Sequence, residues 1–180
     1  MKRSLFLAIA TIALVAAPRV SNAQLGALKP FQLGIAGGAT QPMSDLSNTS
    51  KIGYNGTATL AINLPIIPVG LRVDGAYNQF SAKAAGGAKL HVISATGNVV
   101  WGLPIPVLSP YLIGGAGMYM PQATVAGVKS STKQYLGYNA GAGVNLPLGG
   151  FKAFVEARYN RFSVNGVATE FVPVTFGIMF

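Results

Sequence analysis

His91 is the only histidine of the chain, and Ser94 lies three residues further on. A histidine beside a hydroxyl is the start of a nucleophilic site. That chemistry needs base and nucleophile within hydrogen-bond reach and a third group to orient the base. The stretch around them alternates polar and apolar residues, so a spacing of three puts the two on opposite faces. His91 therefore reads as a strand-end histidine, and no catalytic residue is assigned. A second set is better organised. Arg72 and Asp74 are two apart, and Lys152, Glu156 and Arg158 keep even spacing later in the chain. On extended backbone, even spacing gathers each group on one face. Charge turned into an interior must find a partner. These five residues are expected to pair with one another as a salt-bridged plug. A third set, Lys51, Lys83, Lys89, Lys129, Lys133 and Arg161, sits in or beside polar connections, where only Asp45 and Glu170 oppose it.

Other chemistries are not supported. With no cysteine, one histidine and four scattered carboxylates, neither a metal site nor a cofactor is expected. The glycine-rich stretches Gly114–Gly117 and Gly141–Gly143 lack the helix and the Lys-Ser/Thr pair of a phosphate loop. Glycine there is expected to relieve crowding or permit bending. The basic residues are spread over connections with no aromatic platform among them, so nucleic acid is not an expected partner.

The elements that must position these groups are strands. Charged residues make up 9% of the chain, against about 25% in an ordinary soluble protein. Hydrophobic residues reach 51%, yet after residue 20 no apolar run approaches the ~20 residues of a membrane helix. Low charge without long apolar runs points to alternating strands in a membrane. Residues 1–23 read as a cleaved signal peptide. Lys2 and Arg3 precede the apolar Leu5–Ala17, and Ser21-Asn22-Ala23 supplies small residues before Gln24. Residues 24–180 then carry ten basic against four acidic residues, a net +6.

Alternation predicts eight strands: Phe31–Thr40, Lys51–Asn63, Gly70–Phe80, Leu90–Trp101, Pro110–Met120, Gln134–Leu146, Phe151–Phe162 and Glu170–Phe180. Their lengths suit tilted membrane-crossing strands of about 9–11 residues. Gln41–Ser50, Ser81–Lys89, Pro121–Lys133 and Ser163–Thr169 are expected to be loops. The other three connections share a repeat, in Asn63-Leu64-Pro65, Gly102-Leu103-Pro104 and Asn145-Leu146-Pro147. Proline cannot donate to a ladder, so it is expected to open turns there, over Leu64–Val69, Gly102–Ser109 and Leu146–Gly150. These turns hold no charge, whereas the loops hold the basic set. Aromatics mark both ends. Phe31, Trp101, Tyr111, Phe151 and Phe180 lie near the turns, and Tyr54, Tyr77, Tyr119, Tyr138 and Tyr159 near the loops. Two girdles at membrane interfaces are expected.

The chain ends in FVPVTFGIMF, with Val172, Val174, Phe176, Ile178 and Phe180 on one face. Together with Pro110–Gly117 (PYLIGGAG) and Val155–Tyr159 (VEARY), this stretch resembles the small bacterial outer-membrane β-barrels of the OmpA/OmpX-like kind. The resemblance implies an all-β, eight-stranded antiparallel up-and-down transmembrane β-barrel in the outer membrane. It also implies that Phe176, Ile178 and Phe180 form a signal read by the barrel-assembly machinery. Some lipid A-modifying enzymes resemble this fold and use His and Ser, but their spacing differs from that of His91 and Ser94. The expected function is non-enzymatic: a monomeric structural, adhesive or surface-binding barrel acting through its outer loops. A narrow porin-like channel is the alternative, and an envelope enzyme comes third. The expected partners are outer-membrane lipid and lipopolysaccharide, whose phosphates the basic set would contact as a rim.

Overall fold

The computed structural model describes residues 31–63, 68–84, 87–103, 105, 108–125, 128–148 and 150–180. The proposed signal peptide, most of the first Leu-Pro turn and part of the second lie outside these residues. Eight long strands and one two-residue strand run through the described chain. They are β1 (Phe31–Met43), β2 (Gly53–Asn63), β3 (Val69–Ser81), β4 (Lys89–Gly102), β5 (Ser109–Val125), β6 (Val128–Lys129), β7 (Tyr135–Leu148), β8 (Phe151–Val164) and β9 (Val167–Met179). One short helix, α1 (Ser44–Thr49), follows β1.

Each long strand pairs antiparallel with its neighbours in sequence, and β9 returns to pair with β1. The sheet is thereby a closed eight-stranded barrel, with β6 folded back on the top of β5. Closure extends to the last residue. Leu33 N–H donates to Phe180 O at 3.0 Å, and Phe180 N–H donates to Leu33 O at 2.9 Å. An open sheet would leave β1 and β9 with unpaired edges, and closure removes both.

The period-two pattern decides which side chains face where. Phe31, Leu33, Ile35, Leu71, Val73, Ile93, Val99, Val174 and Phe176 point outward and are exposed. Asn55, Thr59, Arg72, Asp74, Asn78, Thr96, Asn98, Asn139, Glu156, Arg158, Asn160 and Thr175 point inward and are buried. The outside is apolar and the interior is polar. An eight-stranded barrel is narrow enough for side chains to fill it, and the filling is layered. Ion pairs occupy the middle. Asparagines and Thr40 lie above them. An apolar cluster of Phe80, Val92, Tyr119, Phe162 and Phe171 fills the loop end, with Leu46 of α1 packed against it.

Several expectations are corrected here. Strands run further into the loops than alternation suggests, because the backbone ladders continue to Thr124 on β5 and to Val164 on β8. The stretch Ser163–Thr169 is a tight hairpin and not a loop. Val164 pairs with Val167, and Asn165 and Gly166 both adopt positive φ, at 50° and 86°. Asn-Gly is the residue pair that such a two-residue turn favours. Gln41–Ser50 holds the end of β1 and then α1. Pro147 belongs to β7, opposite Lys152, so the third turn is shorter than its Leu-Pro repeat implied.

Candidate functional site

In the closed order, β3 and β8 are four strands apart whichever way the wall is followed. They face each other across the barrel, and their inward charges meet in its centre. Arg72 Nη2 lies 2.8 Å from the Glu156 carboxylate, and Arg72 Nε lies 3.0 Å from Asp74 Oδ2. Arg158 Nη1 lies 2.8 Å from Asp74 Oδ2, and its Nη2 also contacts Glu156. Each arginine thus touches both carboxylates, and the quartet has no net charge. Its members are at most 8% exposed.

Neutral neighbours complete the set. Thr59 Oγ1 donates to Asp74 Oδ1 at 2.6 Å, and Asn98 Nδ2 donates to Asp74 Oδ2 at 2.9 Å. The Tyr111 hydroxyl donates to Glu156 Oε2 at 2.8 Å. Buried ion pairs repay their desolvation only when the remaining lone pairs are also satisfied, and these three donors supply that. The Phe154 ring adds a face 6.0 Å from the Arg72 guanidinium.

Room for these large groups comes from glycines on adjacent strands. A Cβ on Gly143 would lie 2.4 Å from the Tyr111 ring, its direct partner across the ladder. One on Gly177 would lie 2.5 Å from the Phe154 ring, again its direct partner. Beside the quartet a cavity of about 30 Å³ remains, room for one or two waters.

Of the five interior charges expected to pair, four come together and Lys152 does not. Lys152 lies toward the turn end, where its Nζ is 3.3 Å from Gln32 Oε1. Four residues from Glu156, it is too far down β8 to reach the central layer. Tyr111 and Tyr119 are also corrected. Girdle positions are expected for both, yet both are buried inside. Tyr111, Ile113, Gly115, Gly117 and Tyr119 form the inward face of β5, a phase that its glycines hide in the sequence. Phe31, Trp101, Phe151 and Phe180 remain outside near the turns, and Tyr54, Tyr77, Tyr138 and Tyr159 outside near the loops. Thr59, Asn98 and Tyr111 are the site residues that sequence reasoning missed. For Thr59 and Asn98 the period-two inward position is the available signal; for Tyr111 the glycines of β5 leave none.

The other chemistry-bearing residues are scattered. His91 contacts the Tyr77 hydroxyl on the outer face, while Ser94 is buried inside. The wall separates them, and they form no nucleophile–base pair. Lys51, Lys83, Lys89, Lys129 and Lys133 are exposed at the loop end. Lys83 Nζ donates to Ser47 O at 2.6 Å. Arg161 pairs with Glu170 at 3.3 Å, and Ser44 Oγ donates to the same carboxylate. Among the described residues no cluster of His, Cys, Asp and Glu is placed to hold a metal ion. Phe176 and Phe180 are exposed on the outer face of the seam, with Ile178 between them.

No known family model matches the chain, and no curated protein matches it in sequence. Solved structures do match the fold. Neisserial surface protein A aligns with a TM-score of 0.70 at 14% identity, over 83% of this chain and 96% of that one. A major outer membrane protein from Thermus thermophilus aligns with a TM-score of 0.51 at 11% identity, over 83% and 98%. The chain has the fold of the small bacterial outer-membrane eight-stranded barrels.

Proposed function

We propose that the protein is an integral outer-membrane barrel that acts without catalysis, as a structural, adhesive or binding surface through its outer loops. The observation that carries this reading is the inversion of the fold: an apolar wall bounded by aromatic rings encloses a charged, hydrogen-bonded core. Such a wall is costly in water and fits lipid. The fold shared with outer-membrane proteins supports the same compartment. In this reading the amino-terminal segment directs export, the assembly machinery reads the seam strand through Phe176, Ile178 and Phe180, and the working unit is a monomer. The uncharged turns face the periplasm and the lysine-bearing loops face outside. The basic rim then lies at headgroup level and holds lipopolysaccharide phosphates.

The channel alternative is disfavoured by the central quartet, which spans the lumen between β3 and β8. The enzyme alternative is disfavoured by the separation of His91 from Ser94. Two measurements test the reading. Membrane fractionation should recover the protein with the outer membrane and in the detergent phase, and recovery in the soluble periplasm would overturn it. The pure protein in planar bilayers should show no steady conductance, whereas stable single-channel steps would favour the channel.

A further inference from the structure

Above the apolar cluster the barrel wall is incomplete. Pairing of β5 with β7 stops at Tyr119 and Tyr135, and pairing of β7 with β8 stops at Gly137 and Phe162. Meanwhile β4 and β5 stay paired up to Lys89 and Thr124, and β8 and β9 up to Val164 and Val167. Two tall hairpins therefore flank the low start of β7. The stretch before β7 stays with the β5 side: Ser130 N–H donates to Ala123 O at 2.9 Å, and Gln122 Nε2 donates to Thr132 Oγ1 at 2.9 Å. A notch is left toward β8.

The notch opens into a cavity of about 400 Å³, within the ~300–1,000 Å³ of small-molecule sites. Leu90, Tyr135 and Val164 form its apolar floor and rest on the buried cluster below. Ser130, Ser131 and Lys133 stand at its rim, and among the described residues Lys133 is the one charged group lining it. An apolar floor, two hydroxyls and a single cation match one kind of molecule: a slim apolar chain ending in an anion.

We infer that the notch binds an acyl chain with an anionic head. The tail lies over Leu90, Tyr135 and Val164, and the carboxylate or phosphate meets Lys133 and the Ser130 and Ser131 hydroxyls. Such a molecule can come from water as a free carboxylate. It can also come sideways from the bilayer as a single-chain phospholipid, and that route alone rests on the membrane reading above.

The test uses the protein in phosphatidylcholine nanodiscs, with amide shifts of Ser130, Ser131, Lys133 and Thr169 followed by NMR. Octanoate should shift them saturably, and octyltrimethylammonium should bind at least tenfold more weakly. Lys133→Gln should weaken octanoate at least fivefold. Val164→Trp, which fills the floor, should abolish the shifts while the rest of the barrel spectrum is kept. Shifts that grow without saturating, equal binding of the cationic probe, or unchanged affinity in both variants would overturn the inference. Lysophosphatidate placed in the disc distinguishes the sources: shifts at the same amides mark delivery from the membrane, and a response to octanoate alone marks delivery from water. The octanoate arm repeated on disc-free protein separates the two readings: a response kept there survives failure of the outer-membrane assignment, because the floor and Lys133 line the notch with or without lipid.

Discussion

Arg72 on β3 and Glu156 on β8 stand on opposite walls of the barrel, and their side chains meet 2.8 Å apart in its centre. With Asp74 and Arg158 they tie the two walls together through side chains, independently of the ladder around the circumference. Removing one buried partner leaves another charge unpaired, typically at about 3–5 kcal/mol. Glu156→Ala should therefore lower the temperature of the heat-modifiable gel-mobility transition, by releasing both Arg72 and Arg158. Lys152→Ala, outside the quartet, should move that transition far less. Equal shifts in the two variants would count against the quartet as the central tie.

The fit of Tyr111 against Gly143 predicts a paired response. Gly143→Ala puts a methyl against the ring, and overpacking of this kind costs about 1–3 kcal/mol. Combining it with Tyr111→Leu should recover part of that loss, so the two changes should be non-additive in urea titrations of the folded barrel. Strict additivity would mean that the ring does not depend on the glycine.

The seam strand predicts an assembly defect. Phe180→Ser keeps the alternation of β9 and its pairing to Leu33 but removes the last exposed ring. Lower outer-membrane yield and accumulation of periplasmic or degraded protein are expected on fractionation. Wild-type yield would remove the case for a terminal recognition element.

The basic rim predicts a salt-sensitive association. Each Lys near an anionic surface contributes about 1 kcal/mol, and salt screens this over a Debye length of about 8–10 Å. Changing Lys83, Lys89, Lys129 and Lys133 together to Gln should reduce co-purified lipopolysaccharide and flatten the salt dependence of its binding. If both match the unmodified protein, the rim is ordinary loop charge.

Glu170 predicts a local effect at the loop end. Its carboxylate accepts from the Ser44 hydroxyl at the start of α1 and pairs with Arg161. Glu170→Ala should loosen α1 and move its amide NMR shifts while those of the central strands stay in place. Unchanged α1 shifts in the variant would mean that the helix does not depend on this carboxylate.

Much of this architecture was legible in the alternation of residues. Each of the eight long strands lies within a few residues of its predicted span, because one wall is apolar and the other polar. The ion-pair residues were legible for the same reason: Arg72 with Asp74, and Glu156 with Arg158, share inward positions. β5 was obscure because Gly114–Gly117 carries no side-chain polarity to read, so Tyr111 and Tyr119 were placed on the wrong face. Which charges meet was also hidden, since Lys152 has the same parity as Glu156 but lies at another height. The Asn165-Gly166 pair, flanked by Val164 and Val167, carries the hairpin signal in the sequence itself.

The seam between Leu33 and Phe180 has a consequence for time as well as for form. One edge of β1 waits for β9, a partner made more than a hundred residues later. Until then the sheet is a growing ribbon with an open flank, and the halves of the central quartet on β3 and β8 are strangers. Contacts between distant parts of a chain form slowly and leave sticky intermediates exposed. Pairing β1 with β9 thus sets closure against the longest separation in the chain, and both edges stay open until it is made.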